Sequence, residues 1–247
     1  MAESRVAAIT RDLIQAFNDV VAKHKVTHAE YRAAIDFIGE AFEKGEQSLL
    51  FDAFVEADVV AHNSEDQHGT LSQVLGPFYL PDPPWIENGK LASDDEPGDR
   101  LVMRGTVRGT DGKPLGGAVL DFWQADAKGA YSNFSPDAKD GNLRGRMKTN
   151  KDGSYELHTV VPAAYTIPHQ GPTGRLLEEL GRHPWRPAHV HLIASHEGYR
   201  PLITQVYFQG DKYLESDAVG AARPELAVAL QGASEKTTEF DIELEVA

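Results

Sequence analysis

Residues 100–247 form a series of short apolar runs separated by turns that contain glycine and aspartate. Runs of this length, rich in β-branched and aromatic residues, are typical of strands. Within residues 118–124, Leu120 and Phe122 would face one side of a strand and Trp123 the other, because strand side chains alternate. Short strands joined by tight turns favour a β-sandwich. The sequence therefore predicts a mainly β protein whose sandwich is formed by this part of the chain.

Two dipeptides in the strand-rich part, Asp111-Gly112 and Asp152-Gly153, have the composition of hairpin turns. We expect the second of them to join two paired strands. The predicted strands that flank these turns or follow them are residues 101–107, 147–149, 155–160, 188–194 and 237–246.

The N-terminal part of the chain has the apolar spacing of amphipathic helices. A first helix is predicted from Ser4 to Val21, and Thr27 and Glu30 have the spacing of a capping box that opens a second. A third is predicted over residues 48–62. Three short helices bury too little surface to be stable alone, so we expect them to pack on the sandwich or on a second subunit.

Five of the chain's 14 prolines fall between residues 77 and 97, a density that is typical of a connector. The predicted organisation is therefore a helical segment at residues 1–69, a connector at 70–99 and the β-sandwich domain at 100–247.

Composition excludes several classes of function. The formal net charge is −14, which argues against a nucleic-acid partner. The absence of cysteine excludes disulfides, thiolate metal sites and cysteine nucleophiles. The N-terminal residues show no signal peptide, and no apolar run is long enough to span a bilayer. We therefore expect a cytoplasmic protein.

A His-x-His pair lies in one of the predicted strands. Pro187 favours an extended chain just before it, and His189 and His191 then point to the same face. Two imidazoles on one face can supply half of a metal site, and Arg186 is close enough to place a charge beside it. Taken alone, the pair is equally compatible with two polar residues on a half-exposed strand.

Three other residues strengthen the prediction of a metal site at this histidine pair. Tyr131 and Tyr165 occur upstream in strand-and-turn contexts, and Gln205 is a polar residue inside an apolar strand downstream. The order Tyr, Tyr, Arg-x-x-His-x-His, Gln resembles the intradiol aromatic-ring dioxygenases of the catechol 1,2-dioxygenase type. The resemblance extends from the N-terminal helices to about Asp217.

The resemblance implies one Fe(3+) per subunit, and it implies four ligands: Tyr131, Tyr165, His189 and His191. The donor chemistry agrees with it, because two phenolates and two neutral imidazoles stabilise ferric over ferrous iron, whereas zinc favours Cys, His and carboxylate. By the same resemblance Tyr165 leaves the iron and takes a proton from the substrate. Arg186 stabilises negative charge on the ring, and Gln205 is a hydrogen-bond donor beside it.

The resemblance also implies that O2 cleaves a catechol to a cis,cis-muconate-type product, in a homodimer that can hold phospholipid between its helical segments. A hydroxyquinol-specific enzyme is the alternative, since Asp52 can hydrogen-bond an extra ring hydroxyl. The residues that the resemblance places around the substrate are Leu49, Asp52, Ala53, Val74, Gly76, Pro77, Phe78, Ile167 and Pro168.

Two other classes of protein stay open at this point. Several turn and strand segments, including Asp152-Gly153-Ser154-Tyr155, also resemble prealbumin-like modules that bind without catalysis and share the sandwich fold. A zinc hydrolase could use the histidine pair, but the sequence offers no general base for it. The set of two tyrosines and two histidines distinguishes the dioxygenase from both.

Overall fold

The computed structural model describes residues 4–136 and 138–247. The chain divides into two compact units, Met1–Ser48 and Leu49–Ala247. The boundary between these units lies inside the segment 1–69 that the sequence predicts as helical. Among the described residues, no helix is both long enough and apolar enough to cross a membrane.

The first unit contains two helices, α1 (Arg5–His24) and α2 (His28–Glu43). The Ser4 side chain caps α1, and the predicted capping box opens α2. Both helices carry an exposed apolar stripe, in which Phe17 is 70% exposed. The other exposed apolar residues of this unit are Val6, Ile9, Leu13, Ile14, Val20, Val21, Tyr31, Ile35, Ile38 and Phe42.

Replacing Thr27 with alanine is expected to destabilise α2 by about 1 kcal/mol. Thr27 Oγ1 accepts the Glu30 N–H at 3.3 Å, and the Glu30 carboxylate accepts the Thr27 N–H at 2.8 Å. The substitution removes the first of these bonds. Urea unfolding followed by the helical circular dichroism signal measures the effect. Thr10→Ala, in the exposed interior of α1, removes the same atoms without a cap, and an equal loss there would contradict the prediction.

The predicted third helix contains a π-helical turn. It consists of α3 (Gln47–Phe51), the turn Asp52–Glu56 and α4 (Ala57–Asn63). Turns of this kind are frequent at functional sites, because the extra residue changes the direction of the side chains. Here it carries the predicted substrate-contacting residues Asp52 and Ala53.

The second unit also contains two main sheets, the short helix α5 (Pro172–Glu179) and a 3-10 turn at Pro224–Leu226. The strands, in chain order, are β1 (Arg100–Gly109), β2 (Val119–Gln124), β3 (Arg144–Lys148), β4 (Ser154–Val160), β5 (Tyr165–Thr166), β6 (Trp185–Arg186), β7 (His189–Ser195), β8 (Leu202–Phe208), β9 (Ala227–Val228), β10 (Glu235–Glu239) and β11 (Ile242–Leu244).

The two sheets confirm the predicted sandwich. In one sheet β1 pairs with β4, β10 and β11, and the other has the order β3-β2-β7-β8-β9. Apolar side chains of both sheets form a single buried core, to which Met103 of β1, Phe122 of β2 and Leu192 of β7 contribute. A separate two-stranded ribbon joins β5 to β6. Four other residues of these strands lie outside this core and help to build the site described below: Trp123 of β2, His189 and His191 of β7, and Gln205 of β8.

Asp111-Gly112 forms the predicted hairpin-type turn, across which Arg108 and Pro114 make an antiparallel bridge. Two other local predictions are wrong. Asp152-Gly153 forms a tight turn, but it lies between strands of different sheets, because β3 and β4 are not paired. Turn composition reports the local reversal of the chain and not the strand that becomes the partner. The predicted strand 237–246 is interrupted, because Phe240 N bonds Arg104 O between β10 and β11.

Candidate metal centre

The outer face of the five-stranded sheet brings five polar or aromatic side chains into register with one another. His191 on β7 lies opposite Trp123 of β2 and Gln205 of β8, and His189 lies opposite Tyr207. The Trp123 and His191 rings are stacked, with centroids 4.5 Å apart and planes at 9°. Both histidines are buried, so the half-exposed strand is not what the structure shows.

Hydrogen bonding fixes the tautomer that suits His189 for metal binding. Its Nδ1 lies 2.8 Å from the Pro187 carbonyl oxygen and donates to it, which leaves Nε2 with a free lone pair. That Nε2 lies 3.0 Å from Nε2 of His191. Burial, together with the Arg186 charge, lowers the pKa of His189 to about 3, and burial lowers that of His191 well below its usual value. Both imidazoles are therefore neutral.

Two tyrosines approach the histidines from other parts of the chain. Tyr131 lies in the turn after β2, and Tyr165 on β5 is the register partner of Arg186 on β6. The ring centroids of the two tyrosines are 5.1 Å apart, and those of Tyr165 and His189 are 5.6 Å apart. Burial raises the pKa of both phenols. A strong cation is therefore needed to ionise them.

These four side chains fit a metal ion. The Tyr131 hydroxyl is buried and makes no hydrogen bond within the described part of the chain. Two imidazoles bound at about 2.1 Å in adjacent positions of one ion have their nitrogens about 3 Å apart, which is the Nε2 separation observed here. Among the described residues, no group of three or more His, Cys, Asp or Glu side chains could hold a metal ion, and the two phenols are the further donor groups that lie beside the imidazoles.

Arg186 is held beside the site by a buried network. Its guanidinium donates to both carboxylate oxygens of Asp217 at 3.0 Å, and to Gln205 Oε1 at 3.0 Å. The Tyr207 hydroxyl donates to the same Gln205 oxygen at 2.7 Å, and Gln205 Nε2 donates to the Val74 carbonyl at 2.7 Å. Burial acts to lower the pKa of Arg186, but the charge and hydrogen bonds of Asp217, together with the Tyr165 and Tyr207 hydroxyls, outweigh burial and raise that pKa well above its usual value.

Comparison with known proteins identifies the family. The family model described as "Dioxygenase" matches residues 74–246, and the one described as "Catechol dioxygenase N terminus" matches residues 3–70. The chain belongs to the intradiol ring-cleavage dioxygenases. It is an enzyme of the catechol 1,2-dioxygenase type, in a family that uses non-haem iron and O2 to open catechol-type rings. A binding module without catalysis and a zinc hydrolase are thereby excluded.

The sequences and structures of similar proteins align with almost the whole of this chain. It is 42% identical over 234 residues to a chlorocatechol 1,2-dioxygenase of Rhodococcus opacus, covering 92% of this chain and 91% of the relative. The crystal structure of the 3-chlorocatechol 1,2-dioxygenase of Rhodococcus opacus 1CP matches with a TM-score of 0.93 at 38% identity, covering 98% and 99% of the two chains. The hydroxyquinol 1,2-dioxygenase of Pseudomonas putida DLL-E4 matches with a TM-score of 0.92 at 32% identity, covering 100% and 94%.

Six of the nine predicted substrate-contacting residues of this dioxygenase fall into two groups. Three from the connector approach the tyrosines and histidines: Val74 bonds Gln205, Gly76 lies against His191, and Phe78 stacks on Tyr131 with ring centroids 4.4 Å apart. The second group belongs to a separate apolar cluster with Leu177 and Ala218, and consists of Leu49, Ala53 and Ile167. The remaining residues are Asp52, which is half-buried, and Pro77 and Pro168, which are exposed.

Asp217 and Tyr207 belong to the hydrogen-bond network around Arg186, but they are not among the site residues predicted from the sequence. Tyr207 could have been found, because it is two residues from Gln205 on a strand and must share its face. Asp217 lies in a loop, where it also accepts the backbone N–H groups of Val219, Ala221 and Ala222. Loop residues show no periodicity, so nothing in the spacing indicates this carboxylate.

Replacing Gly76 with alanine is expected to weaken iron binding as well as the fold. Gly76 has φ +74°, and an added Cβ would lie 3.4 Å from Cε1 of His191. The backbone conformation costs alanine about 1–2 kcal/mol, and any relaxation of this backbone would carry the methyl group against the His191 ring. We expect iron to be lost to a chelator about 10-fold faster.

A matched control for this substitution is Gly112→Ala. Gly112 has φ +80° and no atom within 4 Å of the added Cβ, so it carries the same backbone cost far from the site. Chelator-induced loss of iron, followed by absorbance, compares the two variants. Equal rates of iron loss in both would show that Gly76 affects only the backbone.

Proposed function

We propose that this chain is a ferric intradiol dioxygenase of broad range, which cleaves catechol and ring-substituted catechols with O2 to cis,cis-muconate-type products. One observation carries the proposal: two phenols and two neutral imidazoles from separate segments meet on one face of the sheet, where the Tyr131 hydroxyl is buried and unpaired within the described residues. Chlorocatechol enzymes are similar to the chain over almost its whole length, which supports substituted rings as substrates.

The proposed ligands of the iron are Tyr131, Tyr165, His189 and His191, with one Fe(3+) per chain. When bound, ferric iron holds a catechol dianion and makes its ring reactive towards O2. The protein's own contribution is to keep both imidazoles neutral by burial and to orient His189 through Pro187. Burial also keeps water from the phenols.

Arg186 and Gln205 are proposed to act on the substrate. The Arg186 guanidinium is a fixed cation beside Tyr165, and it can stabilise negative charge on a bound ring without reorganisation. Gln205 positions it through Oε1. Because burial raises the pKa of the Tyr165 phenol, this group is suited to taking up a proton that the substrate releases. The proposed substrate wall consists of Leu49, Asp52, Ala53, Val74, Gly76, Pro77, Phe78, Ile167 and Pro168.

A substrate panel tests the proposed range. Purified iron-loaded protein is given catechol, chlorocatechols, methylcatechols and hydroxyquinol, and the ring-opened products are followed by absorbance. We expect turnover of catechol and of its substituted forms. Turnover of hydroxyquinol alone would overturn the proposal in favour of the hydroxyquinol-specific enzyme, in which Asp52 would bind the third hydroxyl.

The assembly is proposed to be a cytoplasmic homodimer with the helical segment 1–69 at its interface, the connector 70–99 along the substrate and the catalytic domain 100–247. The exposed apolar stripe on α1 and α2, which includes Leu13 and Phe17, supports this interface and its capacity for phospholipid. Sedimentation tests it: Leu13→Lys and Phe17→Lys should give monomers, and a native monomer would contradict it. Lipid extraction and mass spectrometry of the native protein test for phospholipid.

A further inference from the structure

We infer that Arg144 is a positioning residue for the proposed phenolate ligand Tyr131, holding the segment that carries it and stabilising its negative charge. This rests on the proposed role of Tyr131. Arg144 opens β3 opposite Trp123, and it is only 5% exposed.

Arg144 connects two segments that shape the position of Tyr131. Its Nε donates to Ser132 Oγ at 2.7 Å and its Nη2 to the Ser132 carbonyl at 3.1 Å, directly after Tyr131 in the chain. Its Nη1 donates to the Phe78 carbonyl at 2.6 Å. The Phe78 ring stacks on Tyr131 at 20° between planes. One guanidinium therefore fixes both the backbone after Tyr131 and the ring that packs against its face.

The charge of Arg144 is not neutralised by a direct partner. All three of its hydrogen bonds go to neutral oxygens, and within the described residues no carboxylate forms a direct ion pair with it. Burial lowers the pKa of Arg144, and the half-buried Asp121 carboxylate opposes this only from a distance. A buried cation without a directly bonded counter-ion is costly, and an anion placed nearby offsets that cost. Ionised Tyr131 is such an anion, since it immediately precedes Ser132, whose hydroxyl and carbonyl both accept hydrogen bonds from Arg144. The metal-bound protein thus gains an interaction that the neutral phenol cannot make.

Arg186 differs from Arg144 in this respect. Its charge is already paired with both oxygens of Asp217. Arg144 is therefore a second buried cation near Tyr131, and its charge is not offset by a directly bonded carboxylate. A positive charge lowers the energy of the phenolate electrons, so removing it should make electron transfer from phenolate to ferric iron easier. The phenolate-to-iron absorption band should then move to longer wavelength.

Three variants separate the charge from the hydrogen bonds. Arg144→Gln removes the charge, and we expect a band at longer wavelength and about 10-fold faster iron loss to a chelator. Arg144→Lys keeps the charge but cannot bond Ser132 and Phe78 together, so the band should stay near its native position while iron loss remains faster. Ser132→Ala removes one acceptor and should behave like the lysine variant.

Arg146→Gln is the matched control, because Arg146 lies two residues along the same strand and contacts exposed Trp85 instead of the Tyr131 segment. It should leave both readouts unchanged. If Arg144→Gln does not fold, faster iron loss in Arg144→Lys and Ser132→Ala still supports the inference. Native iron retention in those two variants, or a native band position in folded Arg144→Gln, would overturn it. A native protein that binds iron without a phenolate band would instead refute the proposed ligand set.

Discussion

Replacing Tyr131 with phenylalanine is expected to lower ring-cleavage activity by at least about 100-fold, without destabilising the iron-free protein. Loss of a residue that only supports a metal ligand lowers activity by up to about 100-fold, and loss of a proposed ligand itself should lower it at least as much. The hydroxyl of Tyr131 is buried and makes no hydrogen bond within the described residues. An unpaired buried hydroxyl costs about 1–3 kcal/mol, so its removal should leave the free energy of unfolding equal or higher. The substitution should therefore lower the activity while the free energy of unfolding of the iron-free protein stays equal or rises.

Tyr155→Phe is the matched control for this prediction. Tyr155 is equally a buried tyrosine, but its hydroxyl donates to the Phe240 carbonyl at 2.7 Å. Its loss leaves that carbonyl without a partner and should destabilise the fold by about 1–3 kcal/mol, while iron content and turnover stay native. Denaturant unfolding of the iron-free variants and assays of the loaded ones measure both effects. A Tyr131→Phe protein with native activity would contradict the ligand assignment.

Replacing Asp217 with asparagine is expected to destabilise the protein by about 3–5 kcal/mol. The substitution leaves the Arg186 charge buried without its counter-ion, and the new amide group faces N–H donors from Arg186, Ala221 and Ala222. Turnover should also fall, because Arg186 loses the contact that orients it. Urea unfolding measures the first effect, and assays at low temperature, where the variant remains folded, measure the second.

Two further variants test whether the loss of stability in Asp217→Asn comes from the buried, unpaired charge of Arg186. Asp82 contacts Arg146 at 3.4 Å on the surface, and Asp82→Asn should cost less than about 0.5 kcal/mol. Replacing Arg186 and Asp217 together with methionine and leucine removes both charges, and it should restore much of the stability but not the activity. If Asp217→Asn proved as stable as the native protein, the pair would not be the buried interaction described here.

The sequence predicted the elements of the fold better than their partners. The runs containing Leu120, Val190 and Val206 are strands because alternation and β-branched residues report local conformation. The pairing of β1 with β4, β10 and β11 depends on contacts between residues that are far apart in the chain, as between Arg100 and Val160 or Glu235. Turn composition carries no information about such pairing, which is why the hairpin predicted at Asp152-Gly153 was wrong.

The residues of the site also divide into those that local geometry predicts and those that depend on long-range contacts. His189 and His191 could be placed together because strand geometry puts residues i and i+2 on one face. Tyr131 and Tyr165 could be selected only through the resemblance, since turn residues have no period that points towards the histidines. Asp217 and Arg144 were missed for a related reason: each acts through hydrogen bonds that depend on the folded backbone. The structure brings all of these segments to one face of the sheet.

Resonance Raman spectroscopy of the iron-loaded protein, excited in its visible absorption band, tests the ligand set most directly. We expect one iron per chain and enhanced phenolate ring vibrations that change in Tyr131→Phe and in Tyr165→Phe but persist in Tyr155→Phe. An iron-loaded protein without phenolate vibrations, or with vibrations that neither ligand substitution alters, would contradict the assignment of these two phenols to the metal.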